Sequence, residues 1–117
     1  PIRNEPFQAA HYATAFRDAG LVVAGGTEHN TLDLPPLEPR CLRGQPLPPA
    51  VKAIFWEGAC VAVAHQFLVL HGRCGFVDDQ GRPNPDYPSD EARITGFRRL
   101  GAAVIQRYLD ATVAKGA

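Results

Sequence analysis

Charge of one sign is what this sequence most lacks. Twelve Lys and Arg residues balance twelve Asp and Glu residues, for a formal net charge of +0 at pH 7. No basic block with interleaved aromatics occurs, so no long-range field draws the chain to DNA, RNA or an anionic membrane, and nucleic acid is excluded as an expected partner. Cysteine is also sparse. Cys41, Cys60 and Cys74 are odd in number, widely spaced and without a CxxC, which argues against a disulfide framework or a structural zinc site and fits a reducing, cytoplasmic setting. A long apolar run is missing as well. The start, "PIRNEPFQ", has no signal-peptide core, and the stretch "GACVAVA" is closed by His65 and Gln66 well short of a membrane span, so no membrane partner is expected. Methionine is absent, as when an initiator is removed ahead of a small residue such as proline, or when the sequence belongs to something longer.

At 117 residues and 12.7 kDa the chain suits a single domain, 1–117, or part of one, and is too short for a complete eight-unit α/β barrel. Its first segment, "NEPFQAAHYATAFRDAG", reads as a helix. Pro6 suits the first turn and Gly20 the position past the C-terminus, with Phe7, Ala10, Ala13 and Phe16 as the expected buried stripe. "LVVAGG" follows at once, short, apolar and β-branched, as a strand covered on both faces would be. From Thr31 to Pro49 six prolines exclude a helix interior or central strand and predict a long ordered loop or lid.

Pro48 and Pro49 then open a second helix, "AVKAIFWEGACVAVAHQFLVLHG", apolar on nearly every side from Ile54 to Leu70 and ended by Gly72. Such a helix needs cover on more than one face, and alone it predicts self-association. "RCGFVDDQGRPNPDYP" is a turn-rich connection. Ser89 caps a third helix, with Asp90 and Glu91 placed well against its dipole. Ile94, Phe97, Leu100, Val104 and Tyr108 make its stripe, and Arg98, Arg99, Gln106, Arg107 and Asp110 face water. One convincing strand cannot form a sheet, so the expected fold is α/β, the C-terminal segment of a larger barrel or sheet protein whose other strands come from outside these residues. The alternative is a self-contained helical domain with "LVVAG" as a buried connector.

If "LVVA" is such a strand, "GGTEHN", Gly25 to Asn30, lies at its carboxyl end, where α/β proteins build active sites. Glycines permit a sharp exit and close backbone approach. Glu28 offers a hard oxygen ligand and His29 a nitrogen that suits zinc, manganese or iron. The competing reading is a plain turn in which Glu28 caps and His29 is exposed. A phosphate-cradling loop is less apt, since GxGxxG and the P-loop Lys-Ser/Thr are absent.

The run "AGLVVAGGTEHNT", then "PLEPRC", "FWEGACVAVAHQ" and "GFVDDQGRPNP", resembles the C-terminal part of proteins of the polymerase and histidinol phosphatase (PHP) superfamily, over about residues 7 to 109. The resemblance implies a segment of a distorted (β/α)7 barrel, mostly helices around one clear buried strand. It also implies a site of two or three divalent metals in which a late Gly-Ser-Asp-x-His motif supplies an Asp and a His. With Gly26-Thr27 on the family's Gly-Ser, Glu28 replaces the Asp and Asn30 stands where the His is usual. A shift by one puts His29 in the ligand place and Thr27 in the acid's. The family's early His-x-His motif is absent from this chain.

What the resemblance implies is metal-assisted phosphoester hydrolysis, with the metals lowering the pKa of a bound water and neutralising phosphoryl charge. Glu28 and His29 are the expected metal ligands, to zinc, manganese or iron. Asn30, Arg40 and His65 are the expected contacts to a small phosphorylated substrate, and no catalytic group is assigned. The remaining ligands would come from missing barrel segments or a homo-oligomeric partner, and the piece alone should not catalyse. The alternative function is a non-catalytic PHP-like scaffold or interaction module. Among other polar residues, His65 interrupts an apolar helix and reads as a hydrogen-bonded core histidine or a substrate contact. His11 and His71 read as structural. Arg40 and Arg43 flank the proline-rich segment and suit bidentate phosphate binding or simple solvation. Cys60 should be packed inside helix two, whereas Cys41 can be exposed.

Overall fold

A computed structural model describes residues 3–26 and 38–116. Their order is α1 (Pro6–Asp18), a 3-10 turn (Leu42–Gly44), α2 (Pro49–Leu70) and α3 (Asp90–Gly116). Glu5 precedes Pro6 and donates its N–H to Gln8 Oε1 at 3.0 Å, so the first turn of α1 is closed by a side chain. At the other end Gly20 takes φ 82°, and Leu21 N–H reaches back to the Phe16 carbonyl at 3.1 Å, the left-handed exit expected of this glycine. Gly72 (φ 69°) ends α2 in the same way. Ser89 Oγ accepts the Ala92 N–H at 3.1 Å to start α3.

The expected α/β fold is overturned: the described residues hold three helices and no strand. "LVVAGG" is an irregular segment, with Leu21 54% and Val22 38% exposed, not a strand covered on both faces. Among the described residues isolated bridges occur at Arg40–Pro46 and Val77–Pro83, each closing a short turn. A six-residue apolar run satisfies a buried strand and a connector equally, and no described partner presents a ladder to it. A barrel segment is therefore not the architecture.

The chain divides into two compact units, Pro1–Trp56 and Glu57–Ala117. In the first, Ala9, Ala13, Cys41, Leu47 and Val51 form the core, with Ala10, Ile54 and Phe55 packed against it. Of the expected α1 stripe only Ala13 is buried, while Phe7 and Phe16 are exposed. Alanines at positions 9, 10, 13 and 15 leave two helix faces nearly equal in small apolar surface, and packing selected the one through Ala9. Cys41 is fully buried rather than exposed.

In the second unit Val61, Ala64, Ile94 and Phe97 are buried, with Leu68, Phe76, Tyr87 and Leu100 packed on them. This is the expected stripe of α3 as far as Leu100. Tyr108 is 73% exposed, so the stripe outlasts its cover. Arg93 was not expected inside, yet it is 7% exposed. Its guanidinium lies 4.4 Å from the centroid of Phe76 and bonds Asp90 at 2.9 Å, which offsets its desolvation. By length and composition α2 could cross a membrane, against the expectation that its apolar run is too short, and 22% of that stretch is buried within the protein.

Candidate functional site

Both flanks of the "GGTEHN" region are held by the first two turns of α2. On the entry side, Val23 and Ala24 join Asn4, Ala9, Tyr12, Ala13, Phe16 and Phe55 around a shallow, largely apolar cleft of about 180 Å³. Gly25 comes next, and a Cβ there would fall on the Phe55 ring. Only glycine lets the backbone lie this close to the ring. On the exit side, Lys52 Nζ meets Glu38 Oε1 at 2.6 Å, and this bond holds the Glu38 carboxyl below its ordinary value. Glu28, His29 and Asn30 lie outside the described residues.

Arg40 is exposed on a tight turn. Cys41 N–H donates to Gln45 O at 2.7 Å, Gly44 N–H to Cys41 O at 3.1 Å and Leu42 N–H to Asn4 O at 2.8 Å, so this turn is pinned to the start of the chain. Arg40 Nη1 donates to Gly44 O at 3.3 Å, one of the five N–H groups that a guanidinium carries.

His65 belongs to the second unit, where its Nδ1 accepts the Phe76 N–H at 2.9 Å. To accept there the ring must be neutral with its proton on Nε2. A Cβ on Gly75 would run into the same ring, so the 73–76 backbone seats directly on His65. Asn84, 4% exposed, completes this seat. It donates to Gly75 O at 2.8 Å and Cys74 O at 3.3 Å, and accepts the Asp86 N–H at 2.9 Å. A further brace is Asp78, whose carboxyl is held below its usual value first by the Arg82 N–H and then by the Arg82 side chain. These contacts order the "GFVDDQGRPNP" stretch without regular structure. His65→Ala is expected to leave the Phe76 N–H unpaired and to cost about 1–3 kcal/mol in urea unfolding. Unchanged stability would show that this seat is not structural.

Among the described residues no three His, Cys, Asp or Glu side chains gather to hold a metal. Glu28 with His29 alone would be too few ligands for a metal site. The three cysteines are free, and burial pushes the Cys60 thiol up, away from the thiolate a nucleophile needs. Sequence reasoning missed Phe55 as the seat of Gly25 and Asn84 as the organiser of the second-unit connection. Neither contact has a local signal, since each joins residues far apart in the chain. The backbone of Arg43, in left-handed space at φ 56°, ψ 28°, was also missed. Neither a family model, nor a curated protein, nor a solved structure matches this chain.

Proposed function

We propose that this chain supplies Glu28 and His29 to a divalent-metal centre that hydrolyses the phosphoester of a small molecule, the other ligands coming from polypeptide outside these residues. Asn30 and Arg40 contact the substrate in this reading. The observation that carries it is the anchoring of both flanks on one helix, Gly25 against Phe55 and Glu38 on Lys52. A ligand pair must be presented from a rigid support, and a carboxylate beside an imidazole suits zinc, manganese or iron. The two ligands assigned in this reading are too few for a metal cluster, so the piece alone is not expected to hydrolyse a phosphoester.

Elemental analysis of the full native polypeptide, alongside Glu28→Gln and His29→Ala, tests this reading. Two or more equivalents of zinc, manganese or iron, reduced at least tenfold in affinity in both variants, are expected. No metal, or metal untouched by both substitutions, overturns it.

A second reading, a non-catalytic interaction module, is favoured by apolar surface. Trp56 on α2 is 49% exposed in the first unit, and Phe67, Val69 and Leu70 are 36%, 46% and 80% exposed in the second. Patches of this kind mark surfaces that other chains cover. Absence of metal together with concentration-dependent association in sedimentation would favour this module over the hydrolase.

A further inference from the structure

The turn from Arg40 to Pro46 is built at a cost that its backbone does not require. Arg43 sits in left-handed space at φ 56°, ψ 28°, and it is the one non-glycine residue with positive φ among those described. An L-residue there is strained by its Cβ, whereas glycine is not. The neighbouring Gly44, at φ 71°, shows the choice that a turn made only for shape would use at both positions. Strain kept where glycine would relieve it is a mark of a side chain held for use.

The described residues offer little structural work for that side chain. The Arg43 side chain is 78% exposed, and its ion pair with Glu5 Oε1 is long at 3.9 Å. The other oxygen of Glu5 already accepts from Gln45 Nε2 at 3.2 Å. An exposed pair of this length contributes little to stability. The second arginine of the turn, Arg40, is steadied by its own bond to Gly44 O. Three residues apart, the two Cα atoms are separated by no more than about 11 Å, within the combined reach of two arginine side chains toward one anion. Cys41, 0% exposed, roots the turn in the first core. The result is a braced turn carrying two guanidinium groups, the side chain best matched to a tetrahedral oxyanion.

We propose that the Arg40–Pro46 turn is a phosphate clamp in which Arg43 is the principal ligand and Arg40 the second. The reading as a substrate site rests on the hydrolase proposal, in which the clamp takes the phosphoryl group of the substrate. As an anion site it stands without any metal. Arg43→Gly separates structure from binding, because it removes the guanidinium and relieves the backbone at once.

The experiment titrates inorganic phosphate into the full 117-residue chain, kept metal-free with chelator, and follows the arginine side-chain N–H resonances. Expected results are saturable shifts at Arg43 and Arg40, affinity at least tenfold weaker in Arg43→Gly, and a melting temperature for that variant equal to or above the parent's. No saturable binding overturns the clamp, and so does equal affinity in parent and variant. An affinity loss that comes with a lowered melting temperature also overturns it, since the turn would then need Arg43 for its shape. Metal content is read separately on Glu28→Gln. Phosphate bound without any metal in the native polypeptide would sink the hydrolase reading and keep the clamp, whereas a metal-loaded native enzyme with unchanged KM in Arg43→Gly would overturn the clamp as part of the substrate site and leave the hydrolase reading standing.

Discussion

Gly101→Ala should unfold the second unit under conditions where the parent is stable. Glycine to alanine inside a helix ordinarily stabilises, by roughly 0.5–1 kcal/mol, because alanine has less backbone entropy to lose. Here the sign reverses. A Cβ at position 101 would land on the carbonyl of Cys60, and the nearest atoms are backbone, so no side chain can swing away and α3 must move off α2. Cys60 and Gly101 are both buried, so moving the helices apart gives up the packing between them. The expected loss is about 3 kcal/mol or more, a large share of the 5–15 kcal/mol or so that holds a domain.

Urea unfolding followed by circular dichroism measures the loss, with two comparison variants. At Gly96 the nearest atom to an added Cβ is Tyr87 Cε1 at 2.6 Å, the far part of a ring that can turn, so Gly96→Ala should cost less. At Gly116 nothing lies within 4 Å, so Gly116→Ala should be near neutral. A Gly101→Ala protein as stable as the Gly116→Ala control would falsify the close approach of the two helix backbones.

Phe97→Ala is expected to cost about 3–5 kcal/mol. Phe97 is fully buried and is the largest such side chain among the described residues. It meets the Phe76 ring edge-on, with centroids 5.3 Å apart at 87°, and the Tyr87 ring at 5.5 Å and 59°. These two rings come from the connection between α2 and α3, so Phe97 is what the connection folds onto. With only Val61, Ala64 and Ile94 buried beside it, the core has little to close the void. Hydrogen exchange should show the Phe76 amide, bonded to His65, losing protection before α2 does. Phe97→Leu, which keeps most of the volume, should recover at least half of the loss. If alanine and leucine were equally mild, the aromatic cluster would not be the centre of this unit.

Legibility in the sequence followed the range of each interaction. The helices were readable because their signals are local: Pro6 and Gly20 around α1, Pro49 and Gly72 around α2, Ser89 ahead of α3. The supposed strand was misread because "LVVAGG" carries only apolarity, and whether such a run pairs depends on a partner elsewhere. The burial of Cys41 and Arg93 was unreadable for a related reason. Cys41 is roofed by α1 and the start of α2, and Arg93 is accommodated by Phe76, seventeen positions before it in the chain.

For the candidate site the division is similar. Glu28, His29, Asn30 and Arg40 were named from residue type and from the resemblance to a family motif, and the first three lie outside the described residues. The structure added what borders them, Phe55 beneath Gly25 and Lys52 bonded to Glu38. It also singled out Arg43, whose side chain looked no different from that of Arg40 until its backbone angle was known.

By itself, then, the sequence determined where three helices start and where the first two stop, because caps and periodicity act within a few positions, and it offered side chains of the types that metal or phosphate chemistry uses. Only the tertiary structure decided that there is no sheet among the described residues, that α1 buries its Ala9 face and that Gly101 must remain glycine. It also decided that one arginine sits in a strained turn. Each of these is an outcome of close packing between segments distant in the chain, where the space left by one segment dictates what the other can be.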